Sequence, residues 1–290
     1  MPFKGSCTAL SVPYTKEGIN FEEYRRLIRF QKENGTDARV VNGTTGEPST
    51  MTEDEQCSII SVAVSEAGNT PVIAGIGGNN TAQCIKMANF AKKAGAKGVL
   101  CVTPYYNKCS KNGLLAHFRA VADASALPVI LYNVPSRTNV NIATEVAETL
   151  SHHPNIIGIK EASGDLRQIK NTIEAVSSRM AVYSGNDDQN AEILNMGGSG
   201  VISVLSNIAP KFVKNLTELS FSGKEKDALR EQQKAENLIT ALFCEVNPIP
   251  VKTALKEMGF NMGIFRLPLC EMEDKNKEIL IKEMKNFGII

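Results

Sequence analysis

Eight short apolar runs rich in Val and Ile recur along the chain, and the segments between them are amphipathic; that alternation restricts the fold more than any other feature. The runs cover residues 6–10, 38–42, 72–75, 98–102, 129–132, 156–160, 180–184 and 200–204. None shows strict polar–apolar alternation, which is how strands buried on both faces of a parallel sheet read. Helical periodicity occupies residues 21–34, 53–67, 81–94, 111–124 and 165–178. Thr52, with Glu55 three positions on, opens the second of these as a capping box. Gly35, Gly68 and Gly95 stand where helix C-caps belong. An open doubly wound sheet uses about six such units; eight in regular succession predict a closed (β/α)8 barrel. From about Lys224 onward no strand-like run occurs, and helices are expected over 224–245, 250–258 and 273–285. The predicted organisation is a TIM barrel over 1–223 and a C-terminal helical extension over 224–290, with the boundary near Ser222 and Gly223.

Charge and composition exclude several classes. The 32 Lys and Arg nearly balance the 31 Asp and Glu, for a net charge of +1, so no basic stripe points to nucleic acid or to an anionic membrane. The apolar runs are far too short for a membrane span. The opening MPFKGSCTALSVPY carries one Lys and no extended apolar region, unlike a secretory signal. Seven cysteines form no CxxC and no zinc spacing, and scattered free thiols suit a reducing cytoplasm.

A barrel of this kind builds its active site from the loops after the strand C-termini. The chemically loaded segments fall there: Asn42 to Glu47 after strand 2, Thr103 to Asn107 after strand 4, Tyr132 to Thr138 at strand 5, Lys160 to Ser163 at strand 6, and Ser184 to Asp187 after strand 7. Lys160 closes an apolar run, so its amine is expected to be partly desolvated at the barrel mouth. Desolvation disfavours the charged form, and a neutral amine can attack a carbonyl to make a Schiff base. A lone strand-end lysine more commonly snorkels to water. Tyr132 changes that balance, because it ends strand 5 as Lys160 ends strand 6, and neighbouring parallel strands lie ~4.8 Å apart. A phenol beside a carbinolamine can pass protons through imine formation. Gly43-Thr44-Thr45-Gly46 offers hydroxyls and backbone amides to a small carboxylate, and Arg137 a planar guanidinium suited to bidentate carboxylate binding. Together these residues describe a site for an α-keto acid held as an imine on Lys160.

Other signals carry no chemistry on this reading. Gly75 to Asn80 lacks the third glycine of a dinucleotide fingerprint. His152 and His153 are adjacent on a loop and make poor metal ligands, and His117, mid-helix, reads as outer-ring packing. No metal and no cofactor are expected.

The segments GTTGE (43–47), TPYYNK (103–108), YNVPSRT (132–138), GIKEASGD (158–165), GVISV (200–204) and NPIPVKTAL (247–255) resemble the dihydrodipicolinate synthases, in order and spacing, from Gly5 to about Leu269. The wider family includes N-acetylneuraminate lyase and 2-keto-3-deoxy-acid aldolases with the same barrel and Schiff-base lysine. Arg137 resembles the synthases, whereas the sialic-acid lyases have no arginine there. The resemblance implies condensation of pyruvate, as an enamine on Lys160, with aspartate semialdehyde in lysine and diaminopimelate biosynthesis; a sugar-acid aldolase of the same fold is the alternative. It makes Tyr132 the proton donor and acceptor, and Thr44 and Tyr106 its relay partners, with Tyr106 reaching in from a neighbouring subunit. Thr45 and Ile202 would hold pyruvate, Arg137 the carboxylate of the aldehyde, and Gly185 would line the substrate site. Homotetramers built from tight dimers are the implied assembly. Where the family often reads SGDD after strand 7, this chain has Ser184-Gly185-Asn186-Asp187-Asp188, expected as a one-residue insertion at the rim. The lysine effector pocket of inhibited members also differs: its histidine positions read Glu53 and Gln56 and its glutamate position Gln83, while Asn79 and Tyr105 remain. Weak or absent inhibition by lysine is expected, unless Glu53 substitutes as a ligand for the effector's ammonium.

Overall fold

In the computed structural model, which describes residues 3–176 and 178–290, eight parallel strands close into a barrel in sequence order, β1 pairing with both β2 and β8. They are β1 (Gly5–Ala9), β2 (Ala38–Val41), β3 (Val72–Gly75), β4 (Gly98–Val102), β5 (Val129–Asn133), β6 (Ile156–Glu161), β7 (Ala181–Ser184) and β8 (Gly200–Ser203). The expected strands are all present, most of them within a residue of their expected bounds. Positions 1 and 2 of the opening segment, and position 177 near the end of the expected helix 165–178, lie outside the described residues.

The outer ring contains α1 (Phe21–Glu33), α2 (Glu53–Ala67), α3 (Thr81–Ala94), α4 (Lys111–Ala124), the single turn α5 (Pro135–Thr138), α6 (Thr144–Ser151), α7 (Leu166–Val176), α8 (Asn190–Asn195) and α9 (Pro210–Phe221). The capping box at α2 is formed in both directions: Glu55 N–H donates to Thr52 Oγ1 at 3.2 Å, and Thr52 N–H donates to Glu55 Oε2 at 3.0 Å. Gly95 ends α3 at φ 97°, a left-handed conformation that favours a residue without Cβ. Side chains pointing into the barrel, among them Cys7, Val40, Ile73, Leu100, Ile130, Tyr132 and Ile202, form one buried cluster. A larger one fills the layer between strands and helices. With apolar cover on both faces, the strands need no alternation.

The chain continues as α10 (Glu225–Lys234), α11 (Glu236–Leu242), α12 (Ile249–Glu257) and α13 (Asp274–Phe287). The single helix expected over 224–245 is therefore two. The break falls at Ala235, which is fully buried, and lets α10 pack on α8 and α9 while α11 packs on α13. Among the described residues no helix is long and apolar enough to cross a membrane, and all seven cysteines are free.

Candidate active site

A register shift positions the two residues that matter most. Val129 pairs with Ile156, but Ile130 pairs with Gly158, so β6 carries one extra residue there. Because side chains alternate faces, a one-residue slip moves every later side chain to the opposite face. Without it Tyr132 would lie opposite Ile159; with it Tyr132 lies opposite Lys160. The Lys160 Nζ then sits 4.4 Å from the centroid of the Tyr132 ring. Both residues are buried, Lys160 at 6% exposure, so the lysine does not snorkel into open water. The next residue, Glu161, points to the other face. There its carboxylate accepts from Asn133 Nδ2 at 3.0 and 3.1 Å and from Ser163 N–H at 2.8 Å. Burial pushes that carboxyl above its usual range. No carboxylate thereby reaches across to neutralise the amine from its own strand.

Lys160 opens onto a cleft of about 160 Å³ at the C-terminal end of the barrel, lined also by Thr44, Thr45, Tyr132, Arg137 and Gly185. Six of the expected site residues thus converge on one space. A larger adjoining cleft of about 290 Å³ shares Thr44, Tyr132 and Arg137 and extends toward Asn42, Gln56 and Tyr105, away from Lys160. Of the two, only the smaller cleft is lined by Lys160. Gly185 touches the lysine directly: a Cβ there would come within 2.9 Å of Lys160 Cε and 2.8 Å of Ala162 Cβ.

The carboxylate-cradle turn is anchored by residues from the far end of the chain. Thr44–Gly46 forms a 3₁₀ turn, and Glu47 follows it at φ 61°. Glu47 Oε1 receives the Lys252 ammonium at 2.6 Å, and both side chains are buried. Lys252 lies over the rings of Tyr14 and Phe265, at 4.7 and 4.6 Å, and the Tyr14 hydroxyl donates to Gly46 O at 3.1 Å. Burial pushes the Glu47 carboxyl up and the Lys252 ammonium down, while each charge pulls the other back. Asn247, one residue before a cis proline, donates from Nδ2 to Thr45 Oγ1 at 3.1 Å and accepts on its carbonyl from Arg137 Nη2 at 3.2 Å. The motif NPIPVKTAL contains both Asn247 and Lys252, but nothing in the order of residues indicates which loops they meet.

The model of the Dihydrodipicolinate synthetase family matches residues 2–287. The chain belongs to that family. A 4-hydroxy-tetrahydrodipicolinate synthase of Clostridium perfringens is 50% identical over 289 residues, covering 99% of each chain. A dihydrodipicolinate synthase structure from Thermotoga maritima superposes with a TM-score of 0.97 at 41% identity over the full length of both chains. A structure described as a monomeric dihydrodipicolinate synthase variant superposes equally well, at 42% identity, covering 100% of this chain and 98% of that one.

Among the positions that the family resemblance singles out, Ile202 is fully buried in the barrel-interior cluster that also contains Tyr132. Tyr106 stands apart. It is 91% exposed, in a left-handed conformation at φ 70°, and lines neither cleft of its own chain. The rim after β7 is held by Asp187, whose Oδ2 accepts from the N–H groups of Val204 and Leu205, both at 2.8 Å. Gln232 of α10 donates to the Asp187 carbonyl at 2.7 Å. Burial raises this carboxyl too, and Asn186 is left facing the cleft beside Gly185.

Proposed function

We propose that the chain is a 4-hydroxy-tetrahydrodipicolinate synthase, and that Lys160 carries its substrate as a Schiff base. The observation behind this reading is the register pairing of Lys160 with Tyr132, amine over ring, at the floor of a cleft that also holds Thr44, Thr45, Gly185 and Arg137. The Lys160 amine attacks C2 of pyruvate, and the carbinolamine loses water to give an imine. Tyr132, adjoining the nitrogen, hands protons to and from the departing oxygen. Thr45 and the neighbouring backbone receive the pyruvate carboxylate, with Ile202 beneath. Loss of a proton from C3 makes an enamine, whose C3 bonds to the aldehyde carbon of aspartate semialdehyde. Arg137 receives that substrate's carboxylate. The amino group of the adduct then attacks the imine carbon, closing the ring and releasing Lys160.

Thr44 and Tyr106 complete the proton relay, and Tyr106 acts in a second copy of the chain within a homo-oligomer, a tetramer of paired dimers. Its exposure and its absence from the lining of both clefts support that role. Residues 224–290 act as a helical extension that seals the rim of the barrel over 1–223. A sugar-acid aldolase has no use for Arg137 at this point.

Incubation with pyruvate and borohydride tests the assignment. The wild-type chain should gain one reduced pyruvyl group by mass spectrometry, and Lys160→Ala none. Full-stoichiometry labelling of Lys160→Ala would overturn it.

A further inference from the structure

We propose that Cys84, Cys101 and His117 form a buried three-coordinate site for a soft monovalent cation, Cu(I). The three lie outside the catalytic cleft, on α3, β4 and α4, and are 1%, 0% and 6% exposed. Their two sulfurs and a ring nitrogen all fall within 4.8 Å of one another. Cys101 Sγ is 3.9 Å from His117 Nε2. Two ligands bonded at about 2.3 and 2.0 Å to one ion, 120° apart, would stand about 3.7 Å from each other, so the pair needs to move by only a fraction of an ångström. His117 Nδ1 is 2.9 Å from Thr81 Oγ1. Such a partner on the second ring nitrogen orients a ligating imidazole and fixes its tautomer.

Weak hydrogen bonds centred on Cys101 Sγ, to His117 and to Cys84, already bring the three donor atoms together, so an ion would enter a site that is assembled beforehand. The sulfurs' other polar neighbours are carbonyls at long range, Gly78 O at 3.8 Å and Val102 O at 3.9 Å. Thiolate ligands select Cu(I) or zinc. Structural zinc sites are closed by four protein ligands, and the described side chains supply three. The ion would tie two helices to β4, the strand that leads into Tyr105 and Tyr106.

The probe is Cu(I) alone, titrated anaerobically against bicinchoninate. The protein carries Cys244→Ser and Cys270→Ser to remove the two exposed thiols. One equivalent of copper should be withheld from the chelator. Adding Cys84→Ser should weaken binding at least 100-fold, and Thr81→Val about tenfold. Pyruvate trapping at Lys160 should persist in each variant, which reports that the barrel is folded. If Cys84→Ser does not fold, Thr81→Val and His117→Gln carry the same comparison. Complete surrender of copper to the chelator would overturn the site, as would binding unchanged by all three substitutions. Tighter binding of Zn(II) than of Cu(I) would overturn the three-coordinate assignment.

Discussion

Gly185 shows how narrowly a single residue can set chemistry. Its missing Cβ makes room for Lys160 Cε, Ala162 Cβ and the Glu161 carbonyl at the end of β6, so Gly185→Ala should push the lysine stem aside and press on the end of β6 as well. Overpacking of this kind costs about 1–3 kcal/mol, so the melting temperature should fall by a few degrees and pyruvate trapping should slow by about tenfold or more. Normal trapping kinetics would remove Gly185 from the site. The expected response to lysine also turns on single side chains. Glu53, the acid best placed to substitute for a lost effector ligand, is already engaged: Lys86 pairs with it and Gln83 Nε2 donates to it at 2.8 Å. Those contacts, Lys86 first, hold its carboxyl below the usual range. Gln56 is occupied as well, accepting from Asn42 at 3.2 Å and donating to Pro48 O at 3.0 Å. Free lysine would have to displace an ammonium belonging to the chain itself. Titrating lysine into the synthase assay at saturating pyruvate should therefore give weak inhibition or none. Strong inhibition at low lysine would show that Lys86 yields its place.

Between elements, the buried Glu47–Lys252 pair joins the turn after β2 to α12. Removing one partner of such a pair strands a charge and costs about 3–5 kcal/mol, whereas replacing both with apolar residues can be neutral. Lys252→Met should lower the urea midpoint sharply and slow turnover, since Thr44 and Thr45 sit on the same turn. The double variant Glu47→Leu with Lys252→Met should recover much of the stability. Equal losses in single and double variants would mean that the pair is not coupled. This contact marks where the sequence stops being readable. The strands are legible because burial on both faces leaves an apolar signature within a few residues, and the rim residues because loops follow strands. The capping box at Thr52 is legible for the same local reason. The partners of Glu47 and Thr45 lie 205 and 202 positions away, and no periodicity spans that distance. The bulge in β6 is also silent, although it alone decides whether Tyr132 meets Lys160 or Ile159. Strand-end placement on neighbouring parallel strands brings those two residues near each other in the sequence reading; the register fixes that they stand directly opposite.

For the whole molecule, the placement of Tyr106 predicts dependence on a second copy. Tyr106→Phe and Lys160→Ala should each be nearly inactive alone. Mixed and reassembled, they should regain a substantial fraction of activity, because a hybrid pair contains one site with an intact lysine and a partner's intact tyrosine. No recovery from verified hybrids would confine Tyr106 to its own chain. The long reach from Glu47 to Lys252 has a temporal consequence as well. A chain emerging from the ribosome presents β6 and its amine well before Asn247 and Lys252 have been made. Until that last stretch is made, the turn that carries Thr44, Thr45 and Glu47 lacks the two side chains, Asn247 and Lys252, that brace it. A chain truncated before Asn247 should therefore trap pyruvate far more slowly than the full chain, so premature termination yields a poor enzyme as well as an unstable one.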